Sequence, residues 1–167
     1  TTLFRSLMPY YSVSGSNYSR IIYDKLYDRL AYIQPDGTCS PRAATSWESA
    51  DDGYAILFHL DEGAAFHDGT PVTAQHWVDT IALVTNPACN VLGRDTFAGL
   101  TGTDEIGAAI EGENLGAEAV DEYTLKLTFD NPVVPEEFLV EYNRDIYVLP
   151  THLLTDIAPE DLVTSDF

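Results

Sequence analysis

A chain of 167 residues with 45% hydrophobic side chains carries enough apolar material for one domain with its own core, and this is not the composition of a disordered segment. Lys and Arg number 8 against 27 Asp and Glu, a formal net charge of −19, which argues against nucleic acid or an anionic membrane surface as partner because both demand a cationic face. A solvated acidic exterior explains the charge more simply than attraction of cationic ligands, and no run approaches the length of a transmembrane helix.

In chain order, residues 1–7 suit an extended strand that Met8-Pro9 ends. Residues 10–17, YYSVSGSN, form a loop rich in Tyr, Ser and Gly, the composition of adaptable binding surfaces. Asn17 or Ser19 can cap a helix predicted to run to about Leu30, with Ile22, Leu26 and Leu30 in one row and Tyr23 and Tyr27 in the next. A hairpin is predicted over residues 33–40, turning on Pro35-Asp36-Gly37.

Residues 43–81 carry the clearest pattern. Trp47 opens a short extended run, Asp51-Asp52-Gly53 supplies a turn, and residues 54–60 return as a strand. Tyr54, Ile56, Phe58 and Leu60 share its apolar face, with Ala55, Leu57 and His59 opposite. Asp68-Gly69-Thr70-Pro71 is a second turn, and Thr73 stands as N-cap to a helix whose stripe is Ala74, Trp77, Val78, Ile81 and Ala82. Asn86-Pro87 stops that helix. Residues 88–116 suit two short helices, near 95–100 and 104–111. Next, Tyr123, Leu125, Leu127 and Phe129 alternate with Thr124, Lys126 and Thr128 in a second strand. Pro135 with Glu136-Glu137 starts a short helix, a strand follows, and Leu149-Pro150 introduces another short helix.

Residues with chemical potential are few. Cys39 and Cys89 can either pair, closing a loop of about fifty residues worth roughly 4 kcal/mol, or stay free. None of the four histidines has HExxH spacing, and neither a Gly-x-Ser-x-Gly elbow nor a Gly-rich phosphate loop occurs. His67-Asp68 reads as part of a turn, His152 as a helix-start residue, and Asp51-Asp52 as a hairpin turn, a pair that would need a cleft opposite it for acid–base work.

The order W-E-x-x-D-D-G at 47–53, then Phe58 and Leu60, then F-H-D-G-T-P-V-T-A at 66–74, resembles the signature of the extracellular solute-binding proteins of peptide- and nickel-type ABC importers, family 5. Tyr23, Asp24 and Leu26, the strand at 117–130 and L-P-x-H-L-L at 149–154 match further blocks of that family. One departure is Gln75-His76-Trp77, which removes first-turn carboxylates and should weaken the start of the helix.

The resemblance implies an α+β fold, a mostly antiparallel sheet with helices packed on it, corresponding to the outer subdomain of the first of two lobes. It covers nearly the whole chain but only about the first third of a family member, so residues 1–167 are expected to be a single subdomain, a processed or truncated piece with frayed or swapped termini. It implies capture of a small solute, in particular a peptide, outside the membrane, delivery to ABC permease subunits, no catalysis, no cofactor and no metal. The loop before the first helix borders the ligand cleft in the family, which points to Tyr10, Tyr11, Ser12, Val13 and Ser14, and a later segment points to Arg144. The plainer alternatives are tyrosines lying on the core and an Arg144 ion pair with Asp145 or Glu141. A stand-alone interaction or adhesion module is the contrasting reading, and a metallo-hydrolase a distant third.

Overall fold

The computed structural model describes residues 9–10, 17–89, 91, 93–141 and 146–162, with the backbone alone at 17–20. Its centre is a four-stranded antiparallel sheet in the order β3-β4-β6-β5, with β3 at Ala44–Ala50, β4 at Ala55–Leu60, β5 at Ala117–Ala119 and β6 at Thr124–Thr128. A smaller hairpin of β1, Ala31–Ile33, and β2, Cys39–Pro41, precedes it. Trp47 sits opposite Phe58, and Phe58 opposite Leu125, so these side chains share a face. Ile56, Phe58, Leu60, Leu125 and Leu127 on that face are all buried. The other face carries Glu48, His59, Lys126 and Glu118, with a Lys126–Asp51 ion pair at 2.6 Å and His59 3.3 Å from Glu48. One dry face and one wet face are what period-two alternation specifies in antiparallel strands.

The β3–β4 turn is sharper than a Gly alone requires. Asp51, Asp52 and Gly53 all take positive φ, at 51°, 56° and 92°. Tyr54, expected on the buried face, is 44% exposed because it lies in this turn, before the strand begins.

Helix α2, Ala74–Thr85, packs on β5 and β6 and brings Trp77, Ile81 and Val84 into the core. Its buried stripe is rotated from the one expected. Val78 is only half-buried and Ala82 is exposed, while Thr80 and Thr85 are fully buried. Each threonine hydroxyl is satisfied by a carbonyl one turn back, Thr80 by His76 at 2.7 Å and Thr85 by Ile81 at 2.8 Å. The expected weakness at the helix start is met by His76, whose Nδ1 accepts the Thr73 backbone N–H at 3.2 Å in a capping-box arrangement. At the other end the Arg94 guanidinium donates to the carbonyl of Val84 in the last turn and to those of Asn86 and Cys89 just beyond it, while Ala109 donates to the Thr85 carbonyl. Helix α3, Pro135–Glu141, touches β1, β2 and β3; Phe138 lies 6.3 Å from Phe58 and 5.3 Å from Phe129 between ring centroids.

Three further expectations are corrected. Helix α1, Asn17–Leu26, ends one turn before Leu30. There the Asp28 carboxylate takes the Arg29 N–H, and the Arg29 and Leu30 carbonyls accept from Ala43 and Ala44, drawing the chain into extended pairing. Residues 104–111 are a tight turn, not a helix, because the Asp104 carboxylate takes the N–H groups of Ile106 and Ala108. Gly107, at φ 76°, stands where a Cβ would lie 2.0 Å from the Arg94 carbonyl oxygen. Residues 146–149, expected to be a strand, are buried yet join no sheet among the described residues. Their N–H groups go to single partners: Tyr147 to the Tyr10 hydroxyl at 2.7 Å, Val148 to the Asp28 carbonyl at 3.2 Å, Leu149 to the Thr80 hydroxyl at 3.0 Å. The termini expected to fray or swap lie outside the described residues.

Trp77→Ala empties the largest fully buried side chain and should cost about 3–5 kcal/mol in denaturant unfolding. Burial first, and then the nearby His152, hold the His76 pKa below its ordinary 6.5, with Asp79 and Asp68 opposing. The unfolded chain therefore takes up this proton at a higher pH than the folded one, and stability falls as pH drops below about 6.5. His76→Gln, which keeps an acceptor that does not titrate, should flatten that slope relative to the parent in unfolding curves taken across pH 5–7.

Candidate functional site

Segments 9–10 and 146–149 meet in a cluster of tyrosines. Tyr10 is 2% exposed, and its hydroxyl donates to the Tyr147 carbonyl while accepting the Tyr147 N–H, both at 2.7 Å. The Tyr147 ring receives Tyr10, Tyr23 and Tyr27 edge-on, each at 6.4 Å between centroids, and the Arg29 guanidinium lies 4.7 Å from its centre. The Tyr147 hydroxyl donates to Asp24 at 3.0 Å and accepts from Arg29 at 2.7 Å, and Arg29 also pairs with Asp24. Burial, opposed by Arg29 and reinforced by Asp24, pushes the Tyr147 phenol up to about 12, so it remains a neutral donor.

Of the six residues expected at the ligand, Tyr10 is the one within the described residues. Its side chain is a buried anchor with its hydroxyl committed to Tyr147. Tyr11, Ser12, Val13, Ser14 and Arg144 lie outside the described residues. They adjoin the anchored segments in sequence: 11–14 leave directly from Tyr10, and Arg144 stands three positions before Tyr147. Nothing local in the sequence announces this junction, since Tyr10 and Tyr147 are 137 positions apart.

Beside the tyrosines runs a groove of about 520 Å³ between the end of α1, the 65–68 turn and residues 148–153. Leu26, Phe66, Val72, Val148 and Leu153 supply its apolar wall, and Lys25, Asp28, Arg42, His67 and Asp68 its polar groups. His67 is an exposed turn residue, as its neighbours in sequence imply. His152 has a different task from the helix start expected of it. Its Nε2 lies 2.7 Å from Asp68, tying the 151–153 turn to the 66–70 turn. That bond, with the Thr70 N–H, lowers the Asp68 carboxyl to about 2. Phe66, His76 and His152 pack around one another at 4.9–5.4 Å between centroids. Since His152 Nδ1 is buried and Nε2 is held by Asp68, the pair fastens two turns together and does not resemble a base poised at an open site.

The thiols of Cys39 and Cys89 are not bonded to each other. Burial raises both, with Glu136 adding to the effect at Cys39 and Arg94 opposing it at Cys89.

Comparison with known proteins agrees with this architecture. The model of bacterial extracellular solute-binding proteins, family 5 Middle, matches residues 38–165. The periplasmic oligopeptide-binding protein OppA of Escherichia coli is 34% identical over 135 residues, 77% of this chain and 24% of that protein. The periplasmic murein peptide-binding protein MppA of the same organism is 35% identical over 112 residues, 65% of this chain and 20% of its own length. Among solved structures, Listeria monocytogenes OppA bound to peptide superposes over 93% of this chain and 30% of its own, with a TM-score of 0.78 at 22% identity. The chain thus spans about a quarter of the length of the curated relatives it matches. Sheet, central helix and the signature from Trp47 to Ala74 all fall within the matched residues, and the chain belongs to the bacterial extracellular solute-binding proteins of family 5.

Proposed function

We propose that residues 1–167 act as one subdomain, the outer part of the first lobe of a solute trap, and that the whole protein takes up peptides or similar small polar solutes outside the membrane. It hands them to ABC permease subunits by closing two lobes around the ligand on a hinge. The chemistry is capture and release, with no bond made or broken. Relatives named for periplasmic peptide binding support the substrate class and an extracytoplasmic location. No helix among the described residues is long and apolar enough to cross a membrane.

The observation that carries the site is the Tyr10–Tyr147 junction. Two backbone bonds at 2.7 Å from a single buried hydroxyl hold the starting points of two separate segments side by side. We assign ligand contact to Tyr11, Ser12, Val13, Ser14 and Arg144, with Tyr10 as their root. Such a junction fixes where both segments begin before any solute arrives, which reduces the ordering cost of binding.

Isothermal titration with peptide mixtures tests the proposal. The 167-residue chain alone should give no micromolar binding, whereas the polypeptide extended to the length of its relatives should bind. Tyr10→Phe should weaken that binding by about tenfold and cost about 1–3 kcal/mol of stability by leaving the Tyr147 backbone groups without their partner. Micromolar affinity in the 167-residue chain would overturn the division of labour between lobes.

A further inference from the structure

The groove beside the tyrosine cluster adjoins a smaller one of about 250 Å³, the two sharing Lys25, Tyr27, Asp28 and Arg42 as walls. Around their rims stand Ile21, Leu26, Tyr32 and Leu153, which are 60%, 37%, 52% and 52% exposed. These are four of the ten large apolar side chains exposed among the described residues, gathered on one face. Scattered exposed apolar residues are ordinary, but a cluster of them marks a surface that something covers.

Charge narrows the choice of cover. In a chain with 27 acids and 8 bases, Lys25, Arg29 and Arg42 all line the smaller groove. Arg29 is paired with Asp24, and Arg42 with Asp28 at 2.7 Å. Lys25, which follows Asp24 directly in sequence, has no ion-pair partner among the described residues. The face therefore suits an apolar segment that brings a carboxylate. A second copy of this chain is disfavoured, because bringing together two bodies of net charge −19 is opposed by like-charge repulsion.

We infer that this face is the seam against the remaining polypeptide of the longer protein, which lays apolar side chains over Leu26 and Leu153 and a carboxylate against Lys25. The inference rests on the functional reading above, in which the chain is one part of a two-lobed protein; relatives are about three times its length. It adds that the groove is closed by protein and not by solute, so the ligand cleft lies elsewhere, at the segments rooted on Tyr10 and Tyr147.

Hydrogen exchange on the 167-residue chain and on the polypeptide extended to the length of its relatives tests it. Amides of residues 21–32 and 151–154 should exchange about tenfold more slowly in the longer protein. Leu153→Asp should restore fast exchange there while leaving the short chain unchanged, since Leu153 is already half in water. Ile106→Asp, at a residue 62% exposed in a different loop, should change neither. Equal exchange in the two proteins overturns the seam. So does protection of the short chain that grows with its own concentration, which would mean a second copy, and so does protection gained only on adding the anionic amphiphile anilinonaphthalene sulfonate, which would mean a small-molecule groove. A peptide titration on the same longer protein keeps the two ideas apart, for binding unchanged by Leu153→Asp alongside equal exchange would sink the seam and leave solute capture standing.

Discussion

The indole of Trp77 has to be kept from water, and much of the architecture follows from where that obligation places helix α2. With its large ring fully buried, the helix lies across β5 and β6 and presents Ile81 and Val84 to the same apolar layer. Burial of an aromatic this size outweighs several smaller costs that the helix carries with it. Two buried threonine hydroxyls must turn back on their own helix, the Trp77 Nε1 goes without an acceptor, and the N-terminus must make do without a carboxylate. The sheet makes the bargain workable, since α3 seals the other part of the dry face through Phe138 and leaves the polar face to solvent.

What could be read from the sequence and what could not divide along a physical line. The alternation from Ile56 to Leu60, its counterpart at Leu125 and Leu127, the Gly53 turn and the Thr73 start are local features, decided by residues within a few positions of one another, and their positions hold. The signature from Trp47 to Ala74 carried the family for the same reason. Features with distant partners were opaque. In sequence His76 reads as the loss of an acid, but a neutral imidazole nitrogen accepts the same hydrogen bond. Arg94 closes the end of α2 from ten residues beyond Val84, and His152 answers to Asp68 across 84 positions. Asp104 shows a different limit, because a carboxylate early in a segment can cap a helix or bend a turn, and here a close approach to the Arg94 carbonyl leaves room for Gly107 alone.

The tyrosine cluster and the groove beside it illustrate two uses of the same side-chain chemistry. Around Tyr147, aromatic edges, a guanidinium and a carboxylate satisfy one another, so the cluster is closed and serves to hold backbone in place. Around Lys25 the similar mixture of apolar and charged groups remains open to solvent, with Leu26 and Leu153 exposed.

Residues 146–149 have a mechanical property that the strands lack. A sheet ladder shares its hydrogen bonds cooperatively, so that shifting one strand breaks a whole row. This segment is stitched instead by separate bonds to a phenol, a loop carbonyl and a threonine hydroxyl, each contributed by a different part of the chain. Stitches of that kind can be lengthened or exchanged one at a time, and the four-stranded sheet keeps every one of its own pairings while they are. Opening of this segment therefore does not require the four strands to part.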